Sequence, residues 1–274
     1  MPPAPVTFKP DHFCILVDDL LVATRNFEAL GFIVTQGSNT GGDSGNALVI
    51  FRDGVYLELV QMDKPGLRKI LLGLTRPTGL IKLLFGGDRM FIQRFLLHWT
   101  VVPRGIWADW CVAATPLDDA IAQGRQRGLD LAPMPFTHQR FRADGACVKW
   151  RMGGGLEPSL PFLIEDVEGY AERAPVRLDG RHPNGAGRLA GVVLGSHDPA
   201  ATMQRLETLT GLKSADGVLV IGTVPVRVEH DPAFPTALPK ELIFSSDDPD
   251  AAEQRLDPKL TGGAQIAIQG KAAE

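Results

Sequence analysis

One stretch of this chain returns 97 residues later, and that recurrence limits the fold more than any other feature. Residues 12–32 read HFCILVDDLLVATRNFEALGF and residues 109–129 read DWCVAATPLDDAIAQGRQRGL. Setting Gly31 on Gly128 also sets Ala23 on Ala120, Cys14 on Cys111 and His12 on Asp109. Each copy starts as a strand. In the first, His12 to Val17 runs into an Asp pair. Leu20, Ala23, Phe27 and Leu30 then keep helical spacing up to Gly31, which stops the helix. FIVTQG follows as an extended stretch, and NALVIF (46–51) and VYLELV (55–60) form a hairpin around Asp53-Gly54. The second copy continues through ACVKWRM (146–152) and LPFLIEDV (160–167). A third, more degenerate copy covers 189–212 and GVLVIGTVPVRVEH (217–230), ahead of a Pro-, Asp- and Gly-rich tail. Any α/β chain has strand–helix pairs that end in Gly. The ordered match of several short motifs weighs against that plain reading.

Composition narrows the class. The 274 residues are 44% hydrophobic and 22% charged, so the chain can bury a core and is not disordered. A formal net charge of −4 disfavours nucleic acid as a partner. Cys14, Cys111 and Cys147 are too few, and odd in number, for a disulfide scaffold. The first residues lack a signal-peptide layout, and no apolar run reaches the roughly 18 residues of a membrane span. A cytoplasmic protein is the expectation.

DHFCILVDDL, the GSNTGGDSGNALVIF loop and strand, and VYLELV resemble the opening of glyoxalase-like domains of the vicinal oxygen chelate superfamily. LPFLIED with the later HPNGA (182–186) is similar to the branch that carries a partial third module. The likeness covers roughly residues 10–61 and 105–212. It implies an α+β fold of paired βαβββ modules whose curved sheets enclose a cavity, with a partial third module and a helical insertion. The expected divisions are a first module at 1–61, an insertion at 62–104, a second module at 105–170, and the partial third module with its tail at 171–274. The resemblance also implies a divalent metal (Zn, Mn, Fe or Ni) holding an oxygen of a small-molecule substrate.

Several residues carry candidate chemistry. His12 near the start of the first strand and Glu58 on the last strand of the same module are imidazole and carboxylate, a normal metal pair. Spacing alone leaves a cavity pair and a solvated edge-strand Glu equally open. The resemblance places both at first-module ligand positions, with Glu58 as ligand or base. The second half departs from the pattern, because Asp109 stands where a His is expected, and Leu163, followed by Glu165, stands near the place of Glu58. His182, in the RHPNG turn, is then the third candidate, as metal ligand or substrate contact, against the reading of a surface turn. Cys14 and Cys111 fall on the faces of His12 and Asp109, either lining the substrate pocket or packing as small core residues. GGDSG (41–45) and GGG (153–155) read as hairpin loops.

The insertion carries eight basic residues against Asp63 and Asp88. Leu67, Ile70, Leu71 and Leu74 keep helical spacing, as do Ile92, Phe95, Leu96 and Trp99. A lid over an apolar or anionic substrate, or a packed subdomain or homodimer contact, ranks above a membrane-surface patch. The functional expectation is a metal-dependent lyase, isomerase or dioxygenase. Its rival is a metal-free protein of the same fold that sequesters a small molecule.

Overall fold

The computed structural model describes residues 5–39, 45–61, 90, 94–95, 98–99, 102, 107–142, 144–156, 158–175, 181–234 and 236–270. The first strand, β1 (Thr7–Val17), leads into helix α1 (Leu20–Ala29), then β2 (Thr35–Asn39), β3 (Gly45–Ile50) and β4 (Tyr56–Gln61). Asp19, from the Asp pair seen in the sequence, caps α1 by accepting from the Val22 amide, and Gly31 follows the helix at φ 82°. The second set is β5 (Trp107–Thr115), α2 (Leu117–Gln126), β6 (Phe136–Phe141), β7 (Cys147–Gly154) and β8 (Phe162–Asp166). Gly128, at φ 93°, ends α2 as Gly31 ends α1.

These eight strands form one curled sheet in the order β2-β3-β4-β1-β5-β8-β7-β6. The order is symmetric about the β1–β5 seam. β1 runs parallel to β4 and β5 parallel to β8, while β1 and β5 are antiparallel. At the seam Phe13 lies opposite Trp110, His12 opposite Cys111, and Cys14 opposite Asp109. The pairings on either side of Phe13 and Trp110 mirror each other, as a twofold at that pair requires.

A second sheet follows. It uses β9 (Ala186–Ser196), α3 (Pro199–Thr210), β10 (Val218–Ile221), β11 (Val224–His230), β12 (Leu238–Ser246), β13 (Gln254–Arg255) and β14 (Gln265–Gln269), in the order β10-β11-β9-β12-β14-β13. Here the structure adds to the sequence expectation. The Pro- and Gly-rich tail is no appendage, because β12 pairs antiparallel with β9 and, with β13 and β14, supplies half of this sheet.

The first sheet is covered on both faces, so β1 is buried along nearly its whole length. Phe13, Ile15, Val17, Trp107 and Trp110 join one large core with Phe27 of α1, Leu117 of α2, and Val192, Leu242 and Phe244 of the second sheet. Phe51 stacks on Phe244 at 3.9 Å between ring centroids. The alternate residues, His12, Cys14 and Leu16, point to the other face.

One loop reading changes. Gly153 and Gly154 lie inside β7, and a Cβ on Gly153 would come 2.6 Å from Ile121 Cδ1, so the glycine lets α2 pack on the strand. Residues 41–44 of the GGDSG segment and residues 62–89, with the helix expected around Leu67–Leu74, lie outside the described residues, and Gly45 opens β3. No described helix is long and apolar enough to cross a membrane.

Phe13 is fully buried at the twofold, with Trp110 stacked at 6.1 Å and Trp107 edge-on at 6.0 Å. Phe13→Ala should lower unfolding free energy by about 3–5 kcal/mol in a urea titration. A loss under about 1 kcal/mol would show that the seam tolerates a cavity and does not organise the core.

Candidate functional site

The parallel register of β1 and β4 sets His12 beside Tyr56 and Cys14 beside Glu58. Alternate residues of the two strands thus share one face. His12 Nε2 lies 3.7 Å from Glu58 Oε2, and the Cys14 thiol donates to the same oxygen at 3.7 Å. Asn46 Nδ2 donates to Glu58 Oε1 at 2.5 Å and so orients the carboxylate. The His12 ring stacks on Tyr56 at 4.7 Å and meets the Phe162 ring edge-on at 5.2 Å.

A register shift in β1 between Pro10 and His12 turns Asp11 inward next to His12. Asp11 Oδ1 sits 2.6 Å from His12 Nδ1. Arg173, from the segment after β8, donates to both Asp11 oxygens at 3.2 and 2.9 Å, to Tyr56 Oη at 2.8 Å and to Asp166 at 2.5 Å. Burial alone would raise the Asp11 carboxyl. The Arg173 charge and the His12 hydrogen bond outweigh burial and hold it well below the usual carboxylate range. An ionised Asp11 only accepts, so His12 Nδ1 carries the proton. In the neutral ring the Nε2 lone pair then faces Glu58 and the cavity.

That cavity measures about 220 Å³. His12, Tyr56 and Glu58 form one side, Phe162 and Ile164 of β8 with Trp150 and Met152 of β7 another, and His138 and Arg140 of β6 a third. Phe95 and Trp99 complete it from the end of the insertion. The described part of the insertion therefore packs over the site.

The structure separates the other candidates from this pair. Asp109 is fully buried but does not open into the cavity. Arg94 grips it with Nε to Oδ2 at 2.8 Å and Nη2 to Oδ1 at 2.5 Å, while Trp99 Nε1 and the Trp110 amide donate at 3.0 and 2.8 Å. With both oxygens engaged by donors, Asp109 is an ion-pair partner here and not an open ligand. His182 also lies away from the cavity lining. Its Nδ1 accepts from the Ile33 amide at 3.0 Å, and its ring packs edge-on against Phe32 and Phe51. It joins the first module to the segment that precedes β9. Cys111 is buried among Met90, Phe162 and Ile164, on the side of Asp11 and His12, and is not a cavity-lining residue among those described. Burial first, then the charge of Glu58, pushes the Cys14 thiol well up, so with no cation beside it the sulfur keeps its proton. Leu163 packs in the core on the far face, and Glu165 accepts from the Leu117 amide at the start of α2 and pairs with Arg151.

Sequence reasoning did not find Asp11 as the orienting group, nor Arg173, Arg140, His138 or Asn46. The Asp-His doublet and the alternating FTHQRF strand were the available signals.

Breaking the Arg94–Asp109 pair from one side strands a charge in the core. Arg94→Met should cost about 3–5 kcal/mol of stability, and adding Asp109→Leu should restore much of it. Equal losses in the single and double variants, measured by chemical denaturation, would refute that account.

A glyoxalase-like domain model matches residues 11–210 of the chain. No curated protein matches it. Among solved structures, a Staphylococcus aureus protein described as hypothetical superposes with a TM-score of 0.68 at 14% identity, over 96% of this chain and 99% of that one. A hypothetical protein of Bacillus halodurans gives a TM-score of 0.31 at 14% identity, over 60% and 98%. A Streptomyces coelicolor methylmalonyl-CoA epimerase, solved with 2-nitronate-propionyl-CoA, gives 0.32 at 16% identity, over 61% and 99%. The family match spans most of the chain and begins at the Asp11-His12 doublet, and the chain belongs to the glyoxalase-like domain family.

Proposed function

We propose that this chain is a divalent-metal-dependent lyase or isomerase that acts on a small oxygenated molecule in the His12–Glu58 cavity. One observation carries the reading. His12, Cys14 and Glu58 offer ligand atoms that all lie within 4.8 Å of one another. Two of the separations are 3.7 Å. Ligands bound tetrahedrally at ~2.0–2.3 Å stand ~3.3–3.8 Å apart, and both separations to Glu58 match that spacing, which supports one ion held by the three groups with the remaining position open to the cavity. An imidazole, a thiolate and a carboxylate suit zinc best among Zn, Mn, Fe and Ni. The iron site of non-haem oxygenases uses two His and a carboxylate, and this cluster holds one His, which favours lyase or isomerase chemistry over dioxygenation. When bound, the ion would act as a Lewis acid on a substrate oxygen.

The chain's own groups prepare the rest. Asp11 fixes the His12 ring with Nε2 forward, and Asn46 steadies Glu58. Phe95, Trp99 and Phe162 keep water from the apolar side of the cavity. Glu58 serves as ligand or as base, and not as both at once.

Arg94 favours the second reading, a metal-free binding protein, because it withholds Asp109 from any shared site. Elemental analysis of protein purified without chelator separates the two. The enzyme reading expects stoichiometric metal and a melting temperature that falls on chelation. It expects His12→Ala and Glu58→Gln to abolish uptake, His182→Ala to leave it intact, and Asp11→Asn to weaken it about 10–100-fold. Absent metal and an unmoved melting temperature would leave the binding protein.

A further inference from the structure

We infer that the ligand of this cavity carries a carboxylate seated on Arg140. The inference rests on reading the cavity as a substrate site and names the class of substrate.

Arg140 lies on β6 opposite Val148, one pleat from His138, and borders two spaces at once. One is the His12–Glu58 cavity. The other is an adjoining pocket of about 180 Å³ walled by Thr35, Gln36, Leu48 and Ile50. Three guanidinium groups meet here, and two are spoken for. Arg142 bonds the Asp144 carboxylate at 3.2 and 2.6 Å and the Glu172 carbonyl at 2.7 Å. Arg173 is held between Asp11 and Asp166. Arg140 has no carboxylate partner among the described residues, and what holds it is a ring. Its Cζ lies 5.7 Å from the Trp150 ring centroid, and His138 stacks on the same Trp at 5.6 Å.

Stacking differs from ion pairing in what it leaves behind. It orders the guanidinium plane without neutralising the charge or using the in-plane N–H donors. The fork is left to a planar, singly charged acceptor, and a carboxylate matches it bidentately. A dianionic phosphate would call for more positive charge than the one Arg140 supplies. Glu58, which also lines the cavity, repels a second anion at its own end. The ligand is thus oriented with its carboxylate at Arg140 and its reacting oxygen near His12. A cavity of about 220 Å³ falls below the roughly 300–1,000 Å³ common for drug-sized ligands, so the molecule is small.

The test uses the full chain stripped of metal by chelator, so that it stands apart from the metal reading. Benzoate and its neutral isostere benzamide are titrated against tryptophan fluorescence, with Trp99 and Trp150 in the cavity wall as reporters. Benzoate should bind at least about tenfold more tightly than benzamide. Arg140→Met should erase that preference while keeping benzamide affinity and the metal content of the unstripped protein, and Arg140→Lys should restore it in part. Equal binding of the two probes by the wild-type chain, or a preference that survives in Arg140→Met, would overturn the inference. Phenyl phosphate binding more tightly than benzoate would overturn the assignment to a carboxylate. Loss of metal binding in His12→Ala with the benzoate preference intact would leave this inference standing beside the metal site.

Discussion

The antiparallel seam between β1 and β5 joins two four-stranded halves through a stretch that is buried on both faces. A strand in that position has no solvent face for polar residues, so every charged group on it must find a partner inside the protein. The seam carries three acid or imidazole groups, Asp11, His12 and Asp109. Their demands account for much of the surrounding polar structure. Arg173 is drawn in from the segment after β8 to meet Asp11, and Arg94 from the insertion to meet Asp109.

The twofold makes the two ends of the seam comparable, and they have taken different courses. At the Asp109 end the carboxylate is saturated by Arg94, Trp99 and a backbone amide, with Arg94 also donating to the Gly155 and Leu160 carbonyls. Such a closed pair is of little use for chemistry and weak as a source of net stability, yet costly to break from one side. At the His12 end the chain of partners runs Arg173, Asp11, His12 and stops at an imidazole nitrogen that faces a carboxylate and a cavity. With one end saturated, the described cavity opens at the other end of a sheet of near-symmetric topology.

Local signals were enough for the elements themselves. Helical spacing closed by Gly31 and Gly128, and the hairpin around Asp53-Gly54, appear in the structure where the sequence expects them. The convergence of His12 and Glu58 was readable because both sit on strands of one short module. The partners of these groups were not readable, because near or far in sequence they are set by side-chain pairing and not by a repeating pattern. Arg173 reaches Asp11 across 162 residues, and the Arg94–Asp109 pair joins the insertion to a strand whose alignment had marked Asp109 as a ligand. An ion pair of that kind leaves no periodicity in a sequence. His182, weighed as a ligand or substrate contact against a surface turn, is neither exposed nor among the cavity-lining residues, because its ring packs against Phe32 and Phe51.

The second sheet shows that a similar topology can carry different residues at its seam. Its strand order is likewise symmetric, about the β9–β12 seam. In the middle of β9, Gly191, Val193 and Gly195 are turned away from the shared core, with no titratable group among them. The space these glycines leave is filled by neighbours. Phe234 lies where a Cβ on Gly195 would stand, 2.6 Å from its ring, and Ile243 borders Gly191. The middle of β9 thus offers no ligand atom of its own, and the charged residues of this face, Arg227, Glu229 and Glu241, come from β11 and β12. The opposite face supplies Phe244 and Leu242 to the core beneath β1. The second sheet thus backs the first, giving β1 an apolar wall on one side while His12 opens to the cavity on the other.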